Sequence, residues 1–338
     1  MRFTNSRCGY TEEAGEAYPQ GQRMRLATKP KVAPVPSKPS VPEKKKPTIK
    51  VKEKEDVNIT MKGAGKSFGK ATLPTEMKLP VKSLGDLTIC IHGEKKIGKS
   101  SLAKRFKNSF FFFFEPGGKG LTRNGELIED WQQFKDFLVL LDRNREYADT
   151  LIIDTIDIAY NMCFKHVCEQ LKIEHPQDLG FGKGWSAIKD EFIGEMDKLM
   201  RLGRGIIFLS HTDSKAFQRR GGGETHKLVS TMATAAREYI TGVADMIAYY
   251  GYYGEERYLT IDGSDYVDAG QRLEENFITT TGERVHSIPM GNSADEAYEN
   301  FVKAFNNLQE GSFDSDSLEA TGLSNKRAKM VSTKPPRR

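Results

Sequence analysis

The sequence predicts an α/β domain in three layers, a mostly parallel sheet with helices on both faces. Two observations carry that prediction. From about residue 87 onward, short apolar runs rich in β-forming residues alternate with stretches of helical spacing, the pattern of strand–crossover–strand units. The first of those runs also leads through a glycine-bounded octapeptide, Gly93–Ser100, into a helix-forming segment.

The elements follow in order. Leu87–His92 (LTICIH) reads as a strand, and Ser101–Lys107 has helical composition. Phe110–Phe114 reads as a buried strand. Leu127, Ile128, Trp131, Phe134, Phe137, Leu138 and Leu141 fall at helical spacing. Thr150–Ile153 is a third strand, 156–171 and 185–202 are amphipathic helices, and Gly205–Ser210 (GIIFLS) is a fourth strand. The polar stretch from His211 to about Thr231, with Gly221–Gly223, reads as a mobile loop. A helix then leads into two strands, Met246–Tyr253 and Arg257–Ile261. Ser293 caps a last helix over 293–308.

Composition sets the limits. The chain has 338 residues, of which 38% are hydrophobic, below the ~45–50% usual for compact domains, so part of it is expected to stay unfolded. Residues 28–56 hold six of the 14 prolines and nine lysines, which disfavours helix and sheet alike. The expected organisation is a disordered basic Pro/Lys-rich arm over 1–80, a folded domain over 81–309 and a disordered tail over 310–338. Residues 1–86 carry 18 Lys+Arg and 9 Asp+Glu, leaving 33 and 37 for the rest. The basic character therefore sits in the arm, and the overall charge of +5 does not argue for nucleic acid on the body. No apolar run approaches the roughly 18–20 residues of a membrane span, and the N-terminus has no secretory apolar region. Four cysteines make no disulfide scaffold. A cytoplasmic protein without membrane contact is expected.

Gly93-Glu94-Lys95-Lys96-Ile97-Gly98-Lys99-Ser100 fits G-x-x-x-x-G-K-[ST] between a strand and a helix, the setting in which such a loop holds phosphate. Its glycines let the backbone curl so that N–H groups face phosphate oxygens. Lys99 would reach the β- and γ-phosphates, and Ser100 would put its hydroxyl on Mg²⁺. Ser101 completes the binding segment. Gly65-Lys66-Ser67 repeats the GKS letters but follows no strand, and reads as linker. Asp154 ends the third strand, where a carboxylate would hold the Mg²⁺ water shell; Asp157 is a second carboxylate or an ordinary helix-start charge. Glu115 ends the second strand at the ligand edge of a parallel sheet and could orient an attacking water. His211 ends the fourth strand, where it could contact the γ-phosphate. Cys163, His166, Cys168 and His175 have no metal-site spacing.

Taken in order, the phosphate loop, Glu115-Pro-Gly-Gly, Asp154-Thr155, Gly180-Phe-Gly-Lys-Gly-Trp185 and Ser210-His211 resemble the phage-encoded P-loop nucleotide-binding proteins. These are RecA-like ATPases, some of them single-strand-annealing recombinases. The resemblance spans roughly residues 85–290. It implies a RecA-like P-loop NTPase fold, ATP and Mg²⁺ as ligands, Glu115 as catalytic carboxylate and His211 as γ-phosphate sensor. It further implies a role in DNA recombination or replication, a homo-oligomer, and single-stranded DNA on the loop after His211, where Lys215, Phe217, Arg219, Arg220 and Lys227 are the candidate contacts. The tails could recruit a replication or single-strand-binding protein. The sequence departs from the family in its five phenylalanines before Glu115, where an acidic residue is more usual two positions earlier, and in its basic arm. A non-hydrolysing module that recruits partners through the arm is the first alternative. A P-loop small-molecule kinase is the second, although no arginine-bearing lid is evident.

Overall fold

The computed structural model describes residues 75–312, apart from 78, 118, 119, 121, 123 and 219–221. The two expected tails therefore fall almost wholly outside the described residues. The strands are β1 (Thr88–Gly93), β2 (Ser109–Phe113), β3 (Gly125–Leu127), β4 (Thr150–Asp154), β5 (Gly205–Gln218), β6 (Glu224–Ser230), β7 (Met246–Tyr253), β8 (Glu256–Thr260), β9 (Gly270–Gln271) and β10 (Ser287–Pro289). The helices are α1 (Lys99–Ala103), α2 (Trp131–Arg143), α3 (Ile156–Leu171), α4 (Lys183–Arg201), α5 (Thr234–Val243) and α6 (Ala294–Phe305).

The main sheet runs β10-β8-β7-β1-β5-β4-β2-β3. β7, β1, β5, β4, β2 and β3 are mutually parallel, while β8 and β10 pair antiparallel at one side. β1, which leads into the phosphate loop, lies between β5 and β7, and β5 separates it from β4. This is the mixed α/β fold with a mostly parallel sheet that the sequence predicts, with helices on both sides of the sheet.

Interior parallel strands are buried on both faces and so read as continuous apolar runs. In the phenylalanine strand, Phe110, Phe112 and Phe114 enter the core shared with α2, α3, α4 and α5. Phe111 and Phe113 enter the opposite core with α1 and α6 and stack at 4.9 Å between ring centroids. The same alternation lets Ile89 and Ile91 of β1 face α1 and α6 while Cys90 faces the other helices.

Three sequence readings need correction. The apolar spacing from Leu127 is not one helix: Gly125–Leu127 pairs with β2, and α2 starts at Trp131 because the Asp130 carboxylate accepts from the Gln133 N–H at 2.8 Å. The helix expected over Ser101–Lys107 is α1, which starts at Lys99 and ends at Ala103, since the chain must turn into β2 at Ser109. The polar stretch after His211 is not an irregular loop. β5 continues through it to Gln218 and folds back as β6, in antiparallel register from Thr212↔Ser230 to Gln218↔Glu224. Polar residues concealed this hairpin because it stands outside the main sheet and has little core to bury. By contrast, α3 has the predicted bounds, and Ser293 caps α6 by accepting from the Glu296 N–H at 3.1 Å.

Phe112 is fully buried and packs edge-on against Phe134 at 5.2 Å. Phe112→Ala should lower the unfolding free energy by about 3–5 kcal/mol, read from urea denaturation. A loss below about 1 kcal/mol would mean that the phenylalanine strand is not the centre of the core.

Candidate functional site

Register brings the carboxyl ends of the central strands level. Gly93 pairs with His211, Asp154 with Leu209, and Phe113 with Asp154. The phosphate loop, Glu115, Asp154 and His211 thus emerge together at one sheet edge, the ligand-binding edge of open parallel sheets.

Two glycines of the loop are required by geometry. A Cβ on Gly93 would stand 2.2 Å from the Tyr250 carbonyl oxygen, because β1 and β7 approach closely there. Gly98 has φ +116°, a region that side chains rarely adopt. Ile97 is buried in the core with Leu102 and Phe106 and anchors the loop, so it offers the ligand only its backbone. The side chains of Glu94, Lys95 and Lys96 are exposed.

Lys99 is buried, and its Nζ donates to the Gly93 carbonyl at 2.8 Å and the Glu94 carbonyl at 2.9 Å. Burial pushes its ammonium down to about 8, opposed by the Asp154, Asp157, Glu115 and Glu94 carboxylates. Ser100 Oγ donates to Asp154 Oδ2 at 2.7 Å. Burial pushes the Asp154 carboxyl up; the Ser100 hydroxyl opposes that and Glu115 adds to it.

Glu115 is held from two sides. Thr155 Oγ1 donates to Glu115 Oε1 at 2.9 Å, and His211 Nε2 lies 3.3 Å from the same oxygen. Glu115 Oε2 has no hydrogen bond among the described residues. His211 Nδ1 is buried without a partner among the described residues, the kind of polar atom that a ligand or water satisfies. Asp157, open between two readings in the sequence, accepts from Ser210 Oγ at 2.9 Å, Thr231 Oγ1 at 2.8 Å and the His211 N–H at 3.1 Å.

The residues therefore fit a magnesium-bound nucleotide. A curled glycine loop carries a lysine, a hydroxyl–carboxylate pair stands where a hard cation binds, and a second carboxylate has one oxygen pinned and one open. Thr231 and His92 are residues that sequence reading missed, and it gave Thr155 no role. Thr155 was legible as the neighbour of Asp154. Nothing in the sequence marks His92, whose partners are 120 and 176 residues away.

Of the candidate nucleic-acid residues, Lys215, Phe217 and Lys227 lie on the hairpin, while Arg219 and Arg220 are outside the described residues. Lys215 and Lys227 are directly opposite in register, as are Phe217 and Thr225. Lys227 also pairs with Asp268 at 3.5 Å. Phe217 is 41% exposed. No helix among the described residues is long and apolar enough to cross a membrane.

A family model described as an AAA domain matches residues 86–273. The SPbeta prophage-derived uncharacterized protein YorG of Bacillus subtilis (strain 168) is 29% identical over 142 residues, 40% of this chain and 44% of that relative. The chain thus matches less than half of that relative's length. Among solved structures, the KaiC-like protein PH0186 from Pyrococcus horikoshii OT3 aligns with a TM-score of 0.37 at 13% identity, over 62% of this chain and 88% of that one.

Because Lys99 titrates near 8, phosphate affinity should fall as pH rises through that value. Above it the ammonium loses the proton that a bound phosphate needs, with a slope of up to about tenfold per pH unit. Below it this group contributes no slope. Nucleotide titrations one unit either side should show the fall, and Lys99→Arg, which stays charged, should flatten it. A slope unchanged in Lys99→Arg would remove Lys99 as its source.

Proposed function

The chain belongs to the AAA-domain family of P-loop NTPases, and from that premise we propose that it binds ATP with Mg²⁺, hydrolyses it, and uses the cycle to act on single-stranded DNA in phage recombination or replication. One observation carries the hydrolytic part: the Ser100–Asp154 pair and a Glu115 held by Thr155 and His211 stand at the same sheet edge as Lys99.

In this reading the backbone of residues 93–101 holds the phosphates and Lys99 supplies charge. Four carboxylates surround that single lysine, so a triphosphate adds negative charge to an already acidic site. A divalent cation resolves that conflict, and Ser100 with Asp154 would hold it. When bound, Mg²⁺ neutralises charge on the phosphates and polarises them. Glu115 acts as base. With Oε1 pinned by Thr155 and His211, Oε2 orients a water and takes its proton. His211 joins Glu115 to β5 and is the natural reporter of what occupies the γ-phosphate position.

The hairpin is the proposed contact for single-stranded DNA. Lysines facing each other across a strand pair repel, which a bound phosphate would relieve. Phe217 beside them could stack on a base, worth about 1–3 kcal/mol where it occurs. A cleft of about 620 Å³ between Phe217, Lys227 and Arg237 lies alongside, with Asp265 and Asp268 on its wall. Those acidic groups limit the attraction, so the +9 of residues 1–86 would supply much of the electrostatic affinity.

Glu115→Gln should keep nucleotide affinity and lower phosphate release by roughly 10²–10⁴. The assay should compare ATP with GTP, each with and without single-stranded DNA. Affinity falling together with rate would make Glu115 a structural residue, and turnover that DNA never changes would favour a nucleotide-binding module. Lys215→Ala with Lys227→Ala should make the log affinity–log salt slope for single-stranded DNA shallower by about 1.4, two contacts at about 0.7 each. An unchanged slope would take the DNA off the hairpin.

A further inference from the structure

The residues around the start of α3 reach different parts of the molecule. Asp154 holds Ser100 and Thr155 holds Glu115. Asp157, within the same turn, holds neither. Its Oδ1 accepts from Ser210 Oγ and Thr231 Oγ1, and its Oδ2 accepts from the His211 N–H. These donors are the two roots of the β5–β6 hairpin. Ser210 and His211 stand where β5 leaves the main sheet, and Thr231 follows the last residue of β6. The Thr231 N–H donates to the His211 carbonyl at 3.0 Å and closes the root.

A second grip comes from the phosphate-loop strand. His92, the residue before Gly93, is fully buried. Its Nε2 lies 2.6 Å from the Asp268 carbonyl and its Nδ1 2.8 Å from Thr212 Oγ1. A carbonyl only accepts, so Nε2 carries the hydrogen and Nδ1 accepts from the Thr212 hydroxyl. Burial lowers the His92 pKa to about 4, which keeps this arrangement neutral. Beyond its root the hairpin is largely exposed. Besides pairing with β5, β6 bridges Val267 through Leu228, whose backbone also exchanges hydrogen bonds with Tyr266 and Asp268, and Lys227 pairs with Asp268 at 3.5 Å. The hairpin is thus held along β6 by segment 266–268 and at its root, and the root is fixed to the two elements that carry the phosphate loop and its carboxylates.

We infer that Asp157 is a positioning residue that couples the nucleotide state of the P-loop to the β5–β6 hairpin: a change at Ser100 or Glu115 moves the first turn of α3, and Asp157 passes that movement to Ser210, His211 and Thr231. Three hydrogen bonds onto one carboxylate are strong enough to transmit it, because bonds to an ionised acceptor are about twice as strong as neutral ones. His92 holds the neighbouring strand still, so the hairpin pivots at its root and does not detach. The inference rests on nucleotide binding at the P-loop and does not depend on what the hairpin touches.

Hydrogen exchange in the full-length protein tests it. Amide exchange of segments 212–218 and 224–230 is measured with Mg²⁺ and either ADP or a non-hydrolysable ATP analogue, and nucleotide affinity is measured in parallel. In the wild type, hairpin exchange should differ between the two states by about tenfold, the effect of one or two such bonds on a local opening equilibrium. Asp157→Asn should abolish the difference while both nucleotides still bind. Thr231→Val, at an exposed position that puts folding at little risk, should reduce it, and Thr231→Ser, which keeps the hydroxyl, should preserve it. A difference that survives both Asp157→Asn and Thr231→Val overturns the inference. Equal exchange in a wild type that binds both nucleotides overturns the coupling alone. A wild type that binds neither overturns the nucleotide reading and the coupling with it.

Discussion

At the end of β1 there is no room for a side chain. A Cβ at Gly93 would meet the Tyr250 carbonyl at 2.2 Å, because β1 is clasped by parallel partners on both sides. The rest of the site depends on that close approach. The chain leaves the sheet at a fixed point and turns at Gly98 with φ +116°, which sets Ser100 against Asp154 and buries Lys99 under the loop carbonyls. Ile97, seated in the core, prevents the loop from lifting away.

Lys99 carries a conflict that the fold does not resolve by itself. Its burial disfavours its charge, and the surrounding carboxylates restore part of it. Asp154 experiences the converse, a carboxyl raised by burial and opposed by Ser100. Groups balanced in this way respond strongly to an added phosphate or cation, since a small change in local charge moves both. Cys90, fully buried on β1 three residues before Gly93, shows the contrast: burial pushes its thiol far above its ordinary range.

The hairpin is where local composition and structure diverge. Polar residues, three glycines and scattered lysines resemble an open loop, yet fourteen residues of this segment pair strand to strand. Backbone hydrogen bonding, not burial, organises them. At its root it is held by Asp157 and His92, each of which joins segments far apart in the chain. The same groups make the root part of the nucleotide site, so the hairpin is an extension of β5 and not an appendage.

The sequence by itself determined the phosphate loop, the order of the central strands' motifs, the buried phenylalanine strand, the bounds of α3 and the cap of α6. Those features are local: glycine spacing, an apolar run, a helical period and a capping serine each act within a few residues. It also put Glu115, Asp154 and His211 at one edge, because residues that end parallel strands share one edge whatever the details of packing. Only the tertiary structure decided that Thr155 and His211 converge on one oxygen of Glu115, that Asp157 grips the hairpin root, and that His92 joins β1 to Thr212 and Asp268. Those contacts span 40 to 176 residues. A hydrogen bond across such a distance depends on strand register and helix packing, which no short window of sequence contains.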